Sequence, residues 1–249
     1  MKVIKISTVL LLISLLAACA TQTLVPVSVV LGGNADSLKN EYFPIEPLIA
    51  KSQVEISENG QMVEKDIRTL SNAQKLGYLG DTRVVVTLAK ETASGELSYL
   101  TGKVTGEKGK YVAFMDYANF FIDDLSDGST VIGRARVGVG LRLVARIQTN
   151  KKGIDLGSIL KIGFAANKSE LSGELEVRAI GVTSKEIQDL LPGSLPNLDE
   201  SSIQRALEAM AAVKTKIHDP ATSVQPRIMA VALNETNMLD KAGVKPEKG

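Results

Sequence analysis

The sequence predicts an α+β fold, with a mostly antiparallel β-sheet in meander order and a C-terminal helix packed on one face. Period-two alternation is the main signal: apolar side chains fill odd positions from Val137 to Ile147, and arginines fill even positions of the same stretch. The pair Asn59-Gly60 between two short runs is a strong hairpin signal. Helical spacing appears late, at residues 203–217.

The first half of the chain is predicted to be mostly strand. Residues 24–31 are rich in Val and end at Gly32-Gly33, which predicts a first strand, and Pro26 favours an edge or a strand start. Further strands are predicted at 53–56, 61–63, 83–88, 97–105 and 111–115, the last two forming a second hairpin. Residues 34–50 are predicted to be irregular because of Pro44 and Pro47, and residues 66–76 a short helix ended by Gly77.

The second half holds the best-patterned strands and both later helices. Alternation at 134–148, 160–164 and 174–179 predicts a three-strand antiparallel meander with one dry and one wet face. Thr183 or Ser184 is expected to cap a helix at 185–191, and Asp199 a helix at 203–217. A last strand is predicted at 227–233, and residues 234–249 form a polar tail.

The composition indicates a globular body without affinity for nucleic acid. The 249 residues include 23% charged and 4% aromatic residues and no Trp, which disfavours a sugar-stacking groove or an aromatic nucleic-acid platform. There are 29 basic and 28 acidic residues, and removal of Lys2 and Lys5 would leave 27 against 28. Such a near-neutral body lacks the basic footprint of a nucleic-acid-binding protein.

The first 18 residues have the features of a signal peptide. Lys2 and Lys5 precede an apolar run that is too short to span a bilayer comfortably. The run closes with Leu16-Ala17-Ala18-Cys19. We therefore predict a leader at 1–18, one α+β domain at 19–233 and a tail at 234–249.

Leu16-Ala17-Ala18-Cys19 resembles the lipobox of bacterial lipoproteins, and the resemblance covers residues 1–20. It implies that the Cys19 thiol takes a diacylglyceryl group, that the leader is cut before Cys19, and that the new amino terminus is acylated. Two or more acyl chains give stable membrane anchoring where one does not. Ala20, where enteric lipoproteins of the inner membrane carry Asp, implies the outer membrane, with the domain facing the periplasm or the cell surface.

Two other interpretations of this region stay open. Ala18-Cys19-Ala20 also satisfies the A-x-A rule of ordinary signal peptidase, which would release a soluble protein starting at Thr21. Cys19 could also be an incidental small residue in an uncleaved anchor. As the single cysteine, it cannot form a disulfide within the chain.

Four arginines on one face of the predicted long strand form the most suggestive cluster in the body. The even positions carry Arg134, Arg136, Arg142 and Arg146. Guanidinium groups match oxyanions, so this face is a candidate site for an anion or an acidic partner. The simpler interpretation is a solvated face partly paired with Glu174 and Glu176.

The remaining motifs carry no specific chemistry. Residues 123–129 form an Asp-rich segment predicted to be a plain turn, because the spacing does not fit an EF-hand. Ser158-x-x-Lys161 matches the S-x-x-K nucleophile motif, but its alternation favours a strand and no companion motif is present. His218, the only histidine, is predicted at the surface end of the last helix. We predict no catalytic residues, no metal ligands and no cofactor.

These observations favour a lipid-anchored envelope protein with a binding or structural role, for which a surface or secretion assembly with other envelope proteins is one candidate. The sequence disfavours an enzymatic role without deciding it. The alternatives are an envelope hydrolase using paired carboxylates, which would need two such groups facing a cleft, and a carrier of an apolar ligand between sheet and helix.

Overall fold

The computed structural model describes residues 35–36, 42–100, 105–127, 129–150, 154–155 and 171–233. The signal peptide, Cys19, the strands predicted at 24–31 and 160–164, and the tail at 234–249 lie outside the described residues. The described strands are β1 (Ala35–Asp36), β2 (Phe43–Ile49), β3 (Gln53–Glu58), β4 (Gln61–Asp66), β5 (Thr82–Glu91), β6 (Leu97–Leu100), β7 (Thr105–Gly106), β8 (Gly109–Asp127), β9 (Thr130–Thr149), β10 (Ile154–Asp155), β11 (Leu171–Ile180), β12 (Val182–Thr183), β13 (Ser223–Val224) and β14 (Arg227–Leu233). The helices are α1 (Asn72–Tyr78), α2 (Lys185–Leu190) and α3 (Glu200–Lys216), preceded by a 3₁₀ turn at Ile67–Thr69.

One sheet of eight strands dominates the fold. Its order is β1-β5-β8-β9-β14-β2, with β6 added to β5 and β11 added to β9. Its pairings are antiparallel except β1 with β5, so the predicted α+β class with a mostly antiparallel sheet is confirmed.

The two ends of this sheet approach each other, which makes it nearly closed and barrel-like. Tyr99 of β6 packs against Phe43 of β2 with ring centroids 4.9 Å apart. Its hydroxyl donates to the Pro44 carbonyl over 2.9 Å. The seam between β2 and β6 is therefore closed by side chains, while every other junction of the ring is a strand ladder.

The hairpin of β8 and β9 is the centre of the sheet. The two strands pair from Gly109↔Thr149 to Asp127↔Thr130, and β9 changes its second neighbour midway. It pairs with β14 over residues 133–138 and with β11 over residues 140–149. Gly140 lies at this change, where an added Cβ would stand 2.1 Å from the Tyr117 carbonyl oxygen. Glycine thus allows a close backbone approach where β9 passes between neighbours.

The two faces of the hairpin have different surroundings. The odd-numbered face of β9 lies under α3, where Leu141 and Leu143 belong to the same buried cluster as Leu207 and Met210. Asp199 caps α3 by accepting from the Ser202 amide over 2.8 Å. The predicted helix and its packing on the apolar face are therefore confirmed. The even-numbered face forms the inside of the barrel-like sheet.

The hairpin predicted around Asn59-Gly60 is also confirmed. Both residues have positive φ, 51° and 80°, as a tight primed turn requires. The hairpin packs through Val54 against Ile67 and Leu70.

Three local predictions are wrong. Residues 43–49 form edge strand β2 rather than an irregular segment, because Pro44 and Pro47 are tolerated at an edge. The helix predicted at 66–76 divides into the 3₁₀ turn and α1, because Ser71 and Gln74 form a capping box that starts a new helix. Gly77 lies inside α1 and does not end it.

Two strand-pairing predictions are also wrong. β6 forms its hairpin with β5, as in Leu88↔Leu100, and does not pair with β8. β11 pairs directly with β9, as in Leu175↔Ala145, so no strand lies between them as the predicted meander required. Alternation predicted which segments are strands, but it contains no information about which strands are neighbours.

Candidate functional site

The predicted row of arginines occupies three different environments. Arg134 and Arg146 are exposed, whereas Arg136 is 8% and Arg142 3% exposed. The predicted solvated face is therefore correct for Arg134 and Arg146. It is wrong for Arg136 and Arg142, because the even-numbered face of β9 curves into the inside of the barrel-like sheet.

Arg142 forms a buried bidentate ion pair with Asp116 of β8, its direct cross-strand partner. Nε donates to Oδ1 over 2.6 Å and Nη2 donates to Oδ2 over 2.8 Å. The two side chains are only 4% and 8% exposed. This geometry is the strong, charge-assisted form of the interaction.

The same guanidinium also binds two backbone carbonyls. Nη1 donates to Ile45 over 2.6 Å, and Nη2 donates to Met229 over 2.8 Å. These carbonyls lie where the ladder of β14 and β2 is irregular, since Ile228 faces Leu48 while Ala230 faces Pro44. Arg142 thus satisfies carbonyls that an irregular ladder turns inward, and its donors are directed at the protein. We interpret it as a structural residue.

Arg136 is held between two aromatic rings. Its guanidinium carbon lies 4.4 Å from the centre of the Tyr42 ring and 5.0 Å from that of Phe120. These distances are typical of cation–π contacts. Burial raises the pKa of Tyr99, and the positive charge of Arg142 partly opposes that rise. Two buried cations and their aromatic and carboxylate partners therefore lie inside the sheet, beside the apolar cluster that includes Phe120.

Arg146 pairs with Glu174 on β11 as the register predicts. The two residues face each other across the strands, and Nε lies 3.0 Å from the carboxylate. Glu176 pairs instead with Arg178 of its own strand, with a hydrogen bond of 2.7 Å that lowers the pKa of Glu176. The predicted cross-strand pairing is therefore confirmed for Glu174 and wrong for Glu176.

An open cleft of about 350 Å³ lies beside Arg146, at the N-terminal end of β8. This volume is within the range of small-ligand sites. Its lining includes Arg146 and Lys110, and it includes two carboxylates, Glu91 and Glu174. Lys110 lies 3.9 Å from Glu91. The lining of the cleft therefore contains two cations and two anions, which suits a polar ligand carrying both signs of charge.

Two of the four charged residues that line this cleft could be predicted from the sequence. Arg146 and Glu174 were identified from alternation, but Glu91 and Lys110 were missed. Their only signal is that each ends or begins a strand, and the pairing Glu91↔Lys110 exists only once β5 and β8 are in register.

The other candidate residues do not assemble into a site. Asp123 and Asp124 lie within β8, so the predicted turn begins too early, and the chain reverses between Asp127 and Thr130. Ser158, Lys161 and Cys19 lie outside the described residues. His218 is exposed and lies just beyond the end of α3, as predicted.

Two features are absent from the part of the chain that the structure describes. No cluster of three or more His, Cys, Asp or Glu side chains in the described part of the chain has a metal-binding arrangement. Among the helices that the structure describes, none has the length and apolar character needed to span a bilayer. Comparison with family models, with curated proteins and with solved structures produced no match to this chain.

Proposed function

We propose that the protein is a lipid-anchored component of the bacterial cell envelope, held in the outer membrane by acyl chains on Cys19, with a binding or structural role. The observation that carries the proposal is the lipobox-like Leu16-Ala17-Ala18-Cys19 at the end of an apolar leader run. Such an anchor suits a component of a surface or secretion assembly.

The ion pairs of the described domain support binding rather than hydrolysis. A hydrolase of the carboxylate type needs two carboxyl groups directed at a substrate. Asp116 is buried and bound by Arg142, while Glu91 and Glu174 at the cleft each lie within 4 Å of a cation. The cleft thus presents charge pairs to a partner, and its carboxylates already have partners in the protein.

The packing between sheet and helix bears on the carrier alternative. Met210 and Val213 of α3 are fully buried, as is Leu141 of β9 below them. A carrier would hold its apolar ligand in this layer, where protein side chains form the contacts instead. The cleft at Arg146 is therefore the better candidate for recognition.

Mass spectrometry of the mature amino terminus tests the anchor. We expect a chain that begins at Cys19 and carries a diacylglyceryl group and an additional acyl chain. Cys19→Ala is the matched variant, and we expect it to lose both labelled palmitate and membrane association. A mature wild-type chain that starts at Thr21 without lipid would overturn the proposal.

Affinity purification from gently solubilised envelopes tests the binding role. We expect a specific envelope partner to be recovered with the tagged wild-type protein and lost with Arg146→Glu. Arg68→Glu is the control, since Arg68 pairs with Asp66 at the surface of a different part of the fold. Recovery of no specific partner, or equal recovery with both variants, would contradict a role for the cleft.

A further inference from the structure

Four charged side chains cross one face of the sheet at the cleft beside Arg146. Glu91 of β5 lies directly opposite Lys110 of β8, and Arg146 of β9 lies directly opposite Glu174 of β11. Lys110 and Arg146 share this face because Lys110 lies opposite Gln148, two residues beyond Arg146 on the same strand. Since the strands are neighbours in the order β5-β8-β9-β11, the charges run anion, cation, cation, anion across the sheet.

The two cations at the centre of this row are diagonal neighbours on adjacent strands. The Cα atoms of such neighbours lie about 7–8 Å apart, and their long side chains can reach each other. An oxyanion held at about 2.8 Å from each of two cations spans about 6 Å between them. Lys110 and Arg146 can therefore hold one phosphate between them, which also relieves the repulsion between the two cations.

The ion pairs at the cleft are weak enough for a ligand to rearrange them. Lys110 lies 3.9 Å from Glu91, which is beyond hydrogen-bond distance. Arg146 and Glu174 are about half exposed, and exposed pairs contribute little to stability. A ligand that draws Lys110 toward itself therefore costs the protein little, and it leaves the Glu91 carboxylate for a second, cationic group.

Glu91 is the better of the two carboxylates for such a cationic group. Its cation holds it less closely than Arg146 holds Glu174, at 3.9 Å against 3.0 Å. Glu91 lies one strand spacing from Lys110, which is about 4.8 Å. A phosphate and an ammonium joined by a two-carbon chain are separated by a similar distance. One small zwitterion can therefore contact both positions.

The lining of the cleft favours a primary ammonium over a quaternary one. A primary ammonium donates hydrogen bonds, which a carboxylate accepts. Quaternary ammonium groups are instead recognised by cages of aromatic rings. Tyr111 is the one aromatic side chain among the described residues of the lining, and it is only 2% exposed. Its hydroxyl is bound to the backbone of Glu107, so the lining supplies carboxylates and no aromatic cage.

The wall of the cleft on the β11 side is held by close backbone packing. An added Cβ at Gly173 would stand 1.8 Å from the Arg146 carbonyl oxygen, so β11 approaches β9 closely at this point. Leu195, which precedes the lining residue Pro196, exchanges backbone hydrogen bonds of 2.8 and 2.9 Å with Leu175. The backbone that presents Arg146 therefore needs little further ordering when a ligand binds.

We propose that the cleft binds a phosphoethanolamine group, with the phosphate between Lys110 and Arg146 and the ammonium at Glu91. This inference deepens the binding role proposed above and rests on it. The charges of the lining sum to zero, as do those of a phosphoethanolamine diester, so the complex carries no net charge. The group occurs both as a phospholipid head group and as a free phosphate ester, and the cleft recognises the chemistry that the two share.

Calorimetric titration of the purified full-length protein tests the ligand, in maltoside micelles because their head group is uncharged. Glycerophosphoethanolamine and O-phosphoethanolamine are the two probes, and we expect binding with amide NMR shifts at Lys110, Arg146 and Glu174. Phosphocholine should bind at least about tenfold more weakly, because it cannot donate charge-assisted hydrogen bonds to Glu91. Tighter binding of the diester would identify a lipid head group as the source, and tighter binding of the monoester a free phosphate ester. Binding of neither probe, equal binding of phosphocholine, or shifts confined to other parts of the protein would overturn the proposal.

Two substitutions separate the roles of the charges. Lys110→Gln should weaken the binding of both phosphoethanolamine and inorganic phosphate by about tenfold, because it removes a cation from the phosphate. Glu91→Gln should weaken the binding of phosphoethanolamine by a similar factor but strengthen that of inorganic phosphate, because it removes the partner of the ammonium and a charge that repels phosphate. Lys65→Gln and Glu58→Gln are the matched controls, since these residues form an ion pair in the hairpin of β3 and β4.

The sign of the effect of Glu91→Gln decides the position of the ammonium. A change in the same direction for both probes, or an equal effect of the control substitutions, would contradict the proposal. Neither titration requires acylation or a partner protein. The mass spectrum of the amino terminus and the affinity purification can therefore fail while this binding stands, and the reverse.

Discussion

Replacing Arg142 should destabilise the protein more than replacing its ion-pair partner, because Arg142 has partners that Asp116 does not share. Asp116→Leu leaves a buried guanidinium without its anion, and breaking a buried pair in this way costs about 3–5 kcal/mol. Arg142→Met leaves Asp116 unpaired and also leaves the carbonyls of Ile45 and Met229 without this hydrogen-bond donor. Each unsatisfied buried acceptor costs about 1–3 kcal/mol more.

These magnitudes give an ordered series. Arg142→Met is expected to cost about 5–11 kcal/mol, which is comparable to the whole stability of a domain at about 5–15 kcal/mol. The double variant Asp116→Leu/Arg142→Met contains no unpaired charge but still lacks the donors for both carbonyls, so we expect a loss of about 2–6 kcal/mol. The double variant should therefore be more stable than Arg142→Met alone.

Urea unfolding followed by far-ultraviolet circular dichroism measures the series, since the chain has no Trp to report by fluorescence. Arg146→Met is the matched control: Arg146 and Glu174 are 53% and 48% exposed, and such surface pairs contribute about 0–1 kcal/mol. An effect of Arg142→Met no larger than that of Arg146→Met would refute the buried-pair argument. A double variant as stable as the wild type would refute the argument from the carbonyls.

Three further outcomes are expected. The Lys75 side chain is buried, which lowers its pKa, so wild-type stability should rise with pH between that lowered pKa and 10.5, and thermal unfolding of Lys75→Met should lack this rise. Gly140→Ala should lower the free energy of unfolding, measured in urea, by about 1–3 kcal/mol or more, because the added Cβ would stand 2.1 Å from the Tyr117 carbonyl oxygen. Gly77→Ala in α1 places its Cβ in open space and should raise the free energy of unfolding by up to about 0.5–1 kcal/mol. Equal effects of the two substitutions would contradict the close approach at β9. Asp199→Ala should lower the melting temperature at neutral pH, because it removes the cap of α3. Backbone donors lower the pKa of Asp199, so the stability that the cap contributes is lost as the pH falls from 3.8 through that lowered pKa. The melting temperatures of the wild type and the variant should therefore converge in acid.

Local chemistry made several elements predictable from sequence. The turn at Asn59-Gly60, the cap at Asp199 and the alternation of β9 each depend on residues that are neighbours in the chain. The same holds for strand β14, whose predicted bounds match those observed. These signals determine the type of an element because backbone preference and side-chain period act over a few residues.

Neighbour relations between strands were not determined in this way. β11 joins β9 directly, and β6 joins β5, although the order along the chain favoured other pairs. Strand β2 was not predicted either, because Pro44 and Pro47 indicate an irregular segment and its ladder with β14 is irregular. Pairing depends on which edges meet once the sheet curves, and that is a property of the whole chain.

The arginines of β9 show the division most clearly. The sequence by itself determined that Arg134, Arg136, Arg142 and Arg146 share one face, because side chains of a strand alternate. Only the tertiary structure decided that this face is inside the sheet at Arg136 and Arg142 and outside at Arg134 and Arg146. The physical reason is that β9 passes from β14 to β11 at Gly140, and the near closure of the sheet encloses the middle of the strand while its ends stay in solvent.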